Sequence, residues 1–141
     1  MPESRIIVDS GPLVAFLVEE DSFHAWAVEQ FRTLPPPFMT CESVLTETFY
    51  LVHRLRGGGR RFFELLGSGI LAVEFDLIGE RKLLARLVRK YENLPMSLAD
   101  ACLVRIAETH TNAAVFTVDS HFRIYRKHGR QIIPTLLPPG R

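Results

Sequence analysis

The sequence predicts an α/β fold, a mostly parallel central sheet of about five strands flanked by helices, and two observations carry that expectation. Short apolar runs alternate with helical patterns along a chain of 141 residues. That alternation produces right-handed crossovers and a sheet covered on both faces. Two of the apolar runs also end on the same phrase, Val8-Asp9-Ser10 and Val118-Asp119-Ser120. In an open α/β sheet the carboxyl ends of strands face the crevice where ligands bind. The repeated phrase therefore brings two carboxylates to one edge of one sheet.

The elements follow in order. Ile6 to Val8 reads as a buried strand that stops on Asp9, and Pro12 suits the first turn of the next helix, where a missing N–H costs nothing. Leu13 to Val18 continues that short helix, Glu19-Glu20-Asp21-Ser22 interrupts it, and a second helix runs from about Phe23 to Arg32. Pro35-Pro36-Pro37 leads into a strand at Phe38-Met39-Thr40. From Glu42 to Arg56, Val44, Leu45, Thr48, Leu51, Val52 and Leu55 share one side at helical spacing, until Gly57-Gly58-Gly59 stops the run. Arg60 to Leu66 is helical again, Ile70 to Phe75 is a strand, and Leu77 to Tyr91 is an amphipathic helix with Leu84, Leu87, Val88 and Tyr91 as its apolar stripe. Ser97 opens a helix that reaches roughly His110. A strand from Ala114 to Val118, a short helix from Ser120 to Lys127 and a last strand near Gln131 to Ile133 complete the pattern. Residues 134–141 read as an extended, partly mobile tail.

Composition bounds the function. A hydrophobic content of 47% over 141 residues supports one packed domain, residues 1–141, with no need of staples. A formal net charge of +1 excludes a grossly basic nucleic-acid binder but leaves local patches open. The best such patch is Arg54, Arg56, Arg60 and Arg61 around the three glycines, which reads equally as a solvated loop or an RNA backbone contact. Cys41 and Cys102 make no disulfide scaffold and no metal-type pair, so they read as buried thiols. The histidines show no zinc spacing, and the glycine run lacks the residues of a phosphate-binding loop. No apolar run approaches the roughly 20 residues of a membrane span. Met1 to Arg5 lacks a leader pattern, so the expectation is a soluble, cytoplasmic protein with no membrane partner.

Four acids stand out. Asp9 and Asp119 serve either as helix caps or as functional groups at strand ends. Asp100 is the third helical residue after the cap Ser97, which suits a capping box and the helix dipole, yet its neighbours are apolar. Glu47 is the one charged residue between Ser43 and Val52. If the four converge, each ionised pair at about 4 Å costs about 4 kcal/mol at an effective dielectric of about 20. Such a cluster requires bound cations or shared protons. Oxygen ligands without thiolate or imidazole favour Mg²⁺ or Mn²⁺ over zinc.

Ile7-Val8-Asp9-Ser10-Gly11, Ser43-Val44-Leu45-Thr46-Glu47, Ser97-Leu98-Ala99-Asp100-Ala101 and Phe116-Thr117-Val118-Asp119-Ser120-His121-Phe122 together resemble the PIN-domain ribonucleases, with the VapC-like toxins as the nearest branch. His24 with Ala25 and Ala27 is similar to the family's second helix. The resemblance implies a PIN-like three-layer fold and Mg²⁺- or Mn²⁺-dependent hydrolysis of RNA. Its catalytic and metal-holding set maps onto Asp9, Glu47, Asp100 and Asp119, with Ser10 and Thr117 as polar neighbours. Ser120 and His121 stand where many members carry a further acid, so one ion and two ions both stay open. The resemblance also implies a small antitoxin partner, seated between the helices at Leu13 to Val18 and Val44 to Leu55. It further implies a homodimer, for which Phe49, Tyr50, Phe62 and Phe63 offer a patch. Other readings remain. A phosphoacceptor enzyme would need a second acid beside Asp9, where Ser10 and Gly11 stand. A non-catalytic RNA-binding module would keep the fold without needing the acids, and ribosomal RNA maturation would use the same chemistry without toxicity.

Overall fold

The structure is a computed structural model that describes residues 5–141; residues 1–4, which belong to the stretch read as lacking a leader pattern, lie outside the described residues. Along the chain run β1 (Arg5–Val8), α1 (Ser10–Leu17), α2 (His24–Thr33), β2 (Phe38–Thr40), α3 (Glu42–Val52), α4 (Gly58–Gly67), β3 (Leu71–Val73), α5 (Arg81–Lys90), α6 (Leu98–Thr109), β4 (Ala113–Phe116), a 3₁₀ turn (Ser120–Arg123), β5 (Arg126–Lys127), β6 (Gln131–Ile132) and β7 (Thr135–Leu136). Five strands form one parallel sheet in the order β3-β2-β1-β4-β7, as the alternation of strands and helices predicts. β1 lies at its centre, and its Ile6, Ile7 and Val8 are buried, the unbroken apolar run expected of a strand covered on both faces.

The chain leaves β1 to build β2 and β3 on one side and returns to place β4 on the other. The change of direction falls between β1 and β4, whose register sets Val8 beside Phe116. A topological switch point of this kind opens a crevice at the carboxyl ends of its two strands. Aromatic packing fixes one part of the core: Phe31 contacts Phe16, Phe38 and Phe116 at centroid distances of 4.9–5.1 Å, and Trp26 meets Phe116 edge-on. The helix α6 is buried from Ala99 to Val104. Its Arg105 is held between Glu80 at 3.0 Å and Glu108 at 2.8 Å. Cys41 and Cys102 are free and buried, as expected.

Several expectations change at the boundaries. The helix expected from Ser120 to Lys127 is only a 3₁₀ turn, and Arg126–Lys127 instead pairs antiparallel with Gln131–Ile132. His128 and Gly129, with φ of 51° and 82°, make the reversal that splits the helical pattern. The strand expected near Gln131 to Ile133 therefore belongs to a separate hairpin. The fifth strand of the main sheet comes from the tail: Val115 N–H donates to the Pro134 carbonyl and Thr117 N–H to that of Leu136. Proline is tolerated there because β7 is an edge strand, which needs its donors on one side only.

The helix predicted to Arg56 ends at Val52, and α4 opens on Gly58 rather than after the glycines. A Cβ on Gly58 would lie 1.9 Å from the Val52 carbonyl oxygen, so the close corner between α3 and α4 needs glycine there. The corner also limits burial along α3 to Val44, Thr48 and Val52, while Leu51 and Leu55 face solvent. Of the aromatic patch suggested for a dimer, Phe62 is buried in the core, Phe49 is half-buried, and only Tyr50 and Phe63 are exposed. Among the described residues no helix is long and apolar enough to cross a membrane.

Candidate active site at the carboxyl edge of the sheet

Asp9 follows β1 directly and caps α1. Its Oδ1 accepts from the Ser10 N–H at 2.8 Å and its Oδ2 from the Thr117 hydroxyl at 2.8 Å. Gly11 makes this approach possible, since a Cβ there would sit 2.3 Å from a methyl of Val118. Ser10 then reaches the next acid: its hydroxyl donates to Glu47 Oε1 at 3.1 Å, tying α3 to the start of α1. Thr117 works in two directions, because its Oγ1 also accepts from the Asp119 N–H at 3.0 Å. Both polar neighbours anticipated from the sequence thus connect pairs of the four acids.

Asp100 makes the capping box expected of it. The Ser97 hydroxyl accepts from the Asp100 N–H at 3.0 Å, and Asp100 Oδ2 accepts from the Ser97 N–H at 3.3 Å. The same Oδ2 accepts a second bond, from the hydroxyl of Tyr125 at 3.0 Å. Capping and site membership are therefore compatible in one side chain. Asp119 caps the 3₁₀ turn, accepting from the His121 N–H at 2.8 Å, and the His121 ring nitrogen Nδ1 lies 3.0 Å from the same oxygen. Glu47 is the exposed member, on the solvent side of α3.

Electrostatics link the acids. Asp9 is 6% exposed, and burial pushes its carboxyl up to about 7 despite the bonds from Thr117 and Ser10; the charges of Asp100 and Glu47 add to the rise. Burial also pushes Asp100 up, against the bonds from Tyr125 and Ser97, and the Asp119 charge pushes the same way. Asp9 thus responds to Asp100 and Glu47, and Asp100 to Asp119, so all four belong to one electrostatic unit. Burial, with the Asp100 charge next, holds the Tyr125 hydroxyl above its ordinary range, which keeps it a donor.

Among the described residues no group of three or more acids, histidines or cysteines is placed to hold a metal ion together. The donor chemistry nonetheless fits a hard divalent cation: carboxylate and hydroxyl oxygens meet around a buried acid whose ionisation is opposed by its surroundings. A cation offsets that opposition directly.

The four arginines suggested for RNA contact have different neighbours. Arg61 donates from Nε to the Leu17 carbonyl at 3.0 Å and from Nη1 to the Arg56 carbonyl, so it closes the end of α1. Arg54 lies over the Tyr50 ring at 5.1 Å, and Arg60 stands 4.0 Å from Glu64. Tyr125 is the site residue that sequence reasoning missed; its bond to Asp100 spans 25 positions and leaves no local pattern. A cavity of about 580 Å³ beside Pro36, Met39, Phe75 and His110 contains none of the four acids.

Fold and site together define a parallel α/β domain with a linked group of acids at the carboxyl edge of its sheet. The chain belongs to the PIN domain family, whose model matches residues 6–127. The structure is similar to the crystal structure of Mycobacterium tuberculosis VapC20, described as a sarcin–ricin loop cleaving toxin, with a TM-score of 0.70. Identity is 23%, and the match covers 82% of this chain and 90% of that one, a likeness of fold. No curated protein sequence matches. PIN-domain nucleases generally use divalent metal ions.

Proposed function

We propose that this protein is a Mg²⁺- or Mn²⁺-dependent ribonuclease that hydrolyses RNA phosphodiester bonds, and that it is the toxin of a toxin–antitoxin pair. One observation carries the nuclease reading: a buried Asp9, raised to about 7, is electrostatically joined to acids from α3 and α6 at the switch point of the sheet. In this reading Asp9, Glu47, Asp100 and Asp119 hold the ion. A divalent ion there supplies Lewis-acid chemistry, acidifying water and offsetting charge at the scissile phosphate. Thr117 and Ser10 orient Asp9 and Glu47, and burial of Asp9 keeps bulk water from screening the charges. Arg54, Arg56 and Arg60 are the candidates for RNA backbone contact. Arg61 is already committed to α1.

The toxin reading draws on the family and on exposed apolar side chains on the helix that carries Glu47 and on the helix after it. Tyr50, Leu51, Leu55 and Phe63 lie open on α3, α4 and the turn between them. A flexible antitoxin segment laying apolar side chains there, with an Arg or Lys among the acids, would block the site in the way a guanidinium bridges carboxylates. A homodimer is proposed beside it, with Tyr50 and Phe63 as the exposed part of its patch. Purified protein incubated with RNA should cleave in Mg²⁺ or Mn²⁺ and stop in EDTA, and Asp9→Asn should be inactive while folded. Cleavage that survives both EDTA and the substitution would rule out the mechanism. Expression of the chain alone should arrest growth, with rescue by the neighbouring small reading frame; harmless expression of active enzyme would favour RNA maturation.

A further inference from the structure

Asp100 holds its Oδ2 in two bonds, from Ser97 N–H and from Tyr125 O–H, and neither uses Oδ1. Tyr125 is fully buried, its ring edge-on to Phe122 at 5.2 Å and against Tyr91 at 5.1 Å. It is also anchored to the segment that carries Asp119: the Tyr125 and Ile124 N–H groups both donate to the His121 carbonyl, and His121 N–H donates to Asp119. Tyr91, the other tyrosine of the ring cluster, bonds downstream of that turn, its Oη accepting the Arg126 N–H at 2.9 Å. One hydroxyl therefore bridges the first turn of α6, which bears Asp100, and the turn that bears Asp119.

Resting on the metal-nuclease reading above, we infer that Tyr125 is a positioning residue of the site, fixing Asp100 by Oδ2 so that Oδ1 is the oxygen left for a divalent ion. It also holds Asp100 and Asp119, two acids that repel each other, at a set separation. Groups that orient a metal-binding carboxylate without touching the metal typically contribute about 10–100-fold to metal affinity or activity. The tyrosine would act in that way, and its ring packing would supply the rigidity.

The test measures Mn²⁺ binding to the full chain by electron paramagnetic resonance at pH 8, alongside RNA cleavage. Tyr125→Phe keeps every ring carbon and should weaken Mn²⁺ binding about tenfold or more, lowering kcat with KM for RNA unchanged. Tyr91→Phe removes the other hydroxyl of the cluster, which touches no acid, and should leave Mn²⁺ affinity unchanged. 3-Fluorotyrosine placed at position 125 should restore the affinity that phenylalanine loses. Parental Mn²⁺ affinity in Tyr125→Phe, equal losses in both variants, or a Tyr125→Phe chain that does not fold would each overturn the positioning role while leaving the nuclease reading intact. A parent chain that binds no Mn²⁺ would overturn the metal reading itself, and this inference with it.

Discussion

Val8-Asp9-Ser10 and Val118-Asp119-Ser120 are the same tripeptide, and in both the aspartate caps the turn that follows. Their surroundings differ. Asp9 follows β1 at once, in the middle of the sheet, and is buried with a carboxyl pushed to about 7. Asp119 lies three residues beyond the end of β4, half-buried, and shares its oxygen with His121. Local sequence therefore dictates the cap, whereas strand position and the close approach allowed by Gly11 dictate the burial. One copy becomes a costly, tunable acid and the other a solvated one.

That contrast is most sharply tested on RNA. Asp9→Asn should lower cleavage at least about a thousandfold, equivalent to about 4 kcal/mol of barrier. Asp119→Asn should lower it about 10–100-fold, since water can replace part of a half-exposed ligand. Equal losses would erase the distinction between the two sites.

Stability against pH separates them next. The folded-state value of Asp9 is raised from the usual 3.8 to about 7, so folding favours its protonated form. The contribution of Asp9 to stability should be greatest below about 4, fall by about 4 kcal/mol as pH rises from there to about 7, and level off above. Urea unfolding of Asp9→Asn should lack that decline, and Asp119→Asn should retain it. Above pH 7, Mg²⁺ at about 100 times its dissociation constant should return about 2.7 kcal/mol to the parent chain and little to Asp9→Asn. The smallest effect concerns their shared hydroxyl. Thr117→Val should cost about 1–3 kcal/mol, because Asp9 loses a buried donor, and should move the pH transition upward. A transition that stays in place would mean the Thr117 bond does not hold the carboxyl down.

Three of the acids were legible because each sits where a regular element begins or ends, and such places carry local marks. The strand stop before Asp9, the Ser97 capping box around Asp100 and the isolated charge of Glu47 on an apolar helix are all short-range patterns. The parallel sheet followed from the same kind of periodicity. What escaped was decided by distant partners. Thr135 and Leu136 become a strand only because β4 offers an open edge, and nothing in Pro134 to Leu137 signals it. The 3₁₀ turn replaces a helix because His128 and Gly129 turn the chain back before a second helical turn can form. Tyr125 and Arg61 look like ordinary core and surface residues until Asp100 and the end of α1 supply their partners.

The bond between Thr117 and Asp9 joins residues 108 positions apart, across the central strand pair of the sheet. Contacts of such separation close large loops and form late in folding. A chain folded only through α1, α2 and α3 has Asp9, Ser10 and Glu47 but neither Thr117 nor the two later acids. On the proposed site, cleavage needs that closure, and refolding followed by stopped-flow should show activity returning in the slowest phase, after helical signal has already recovered.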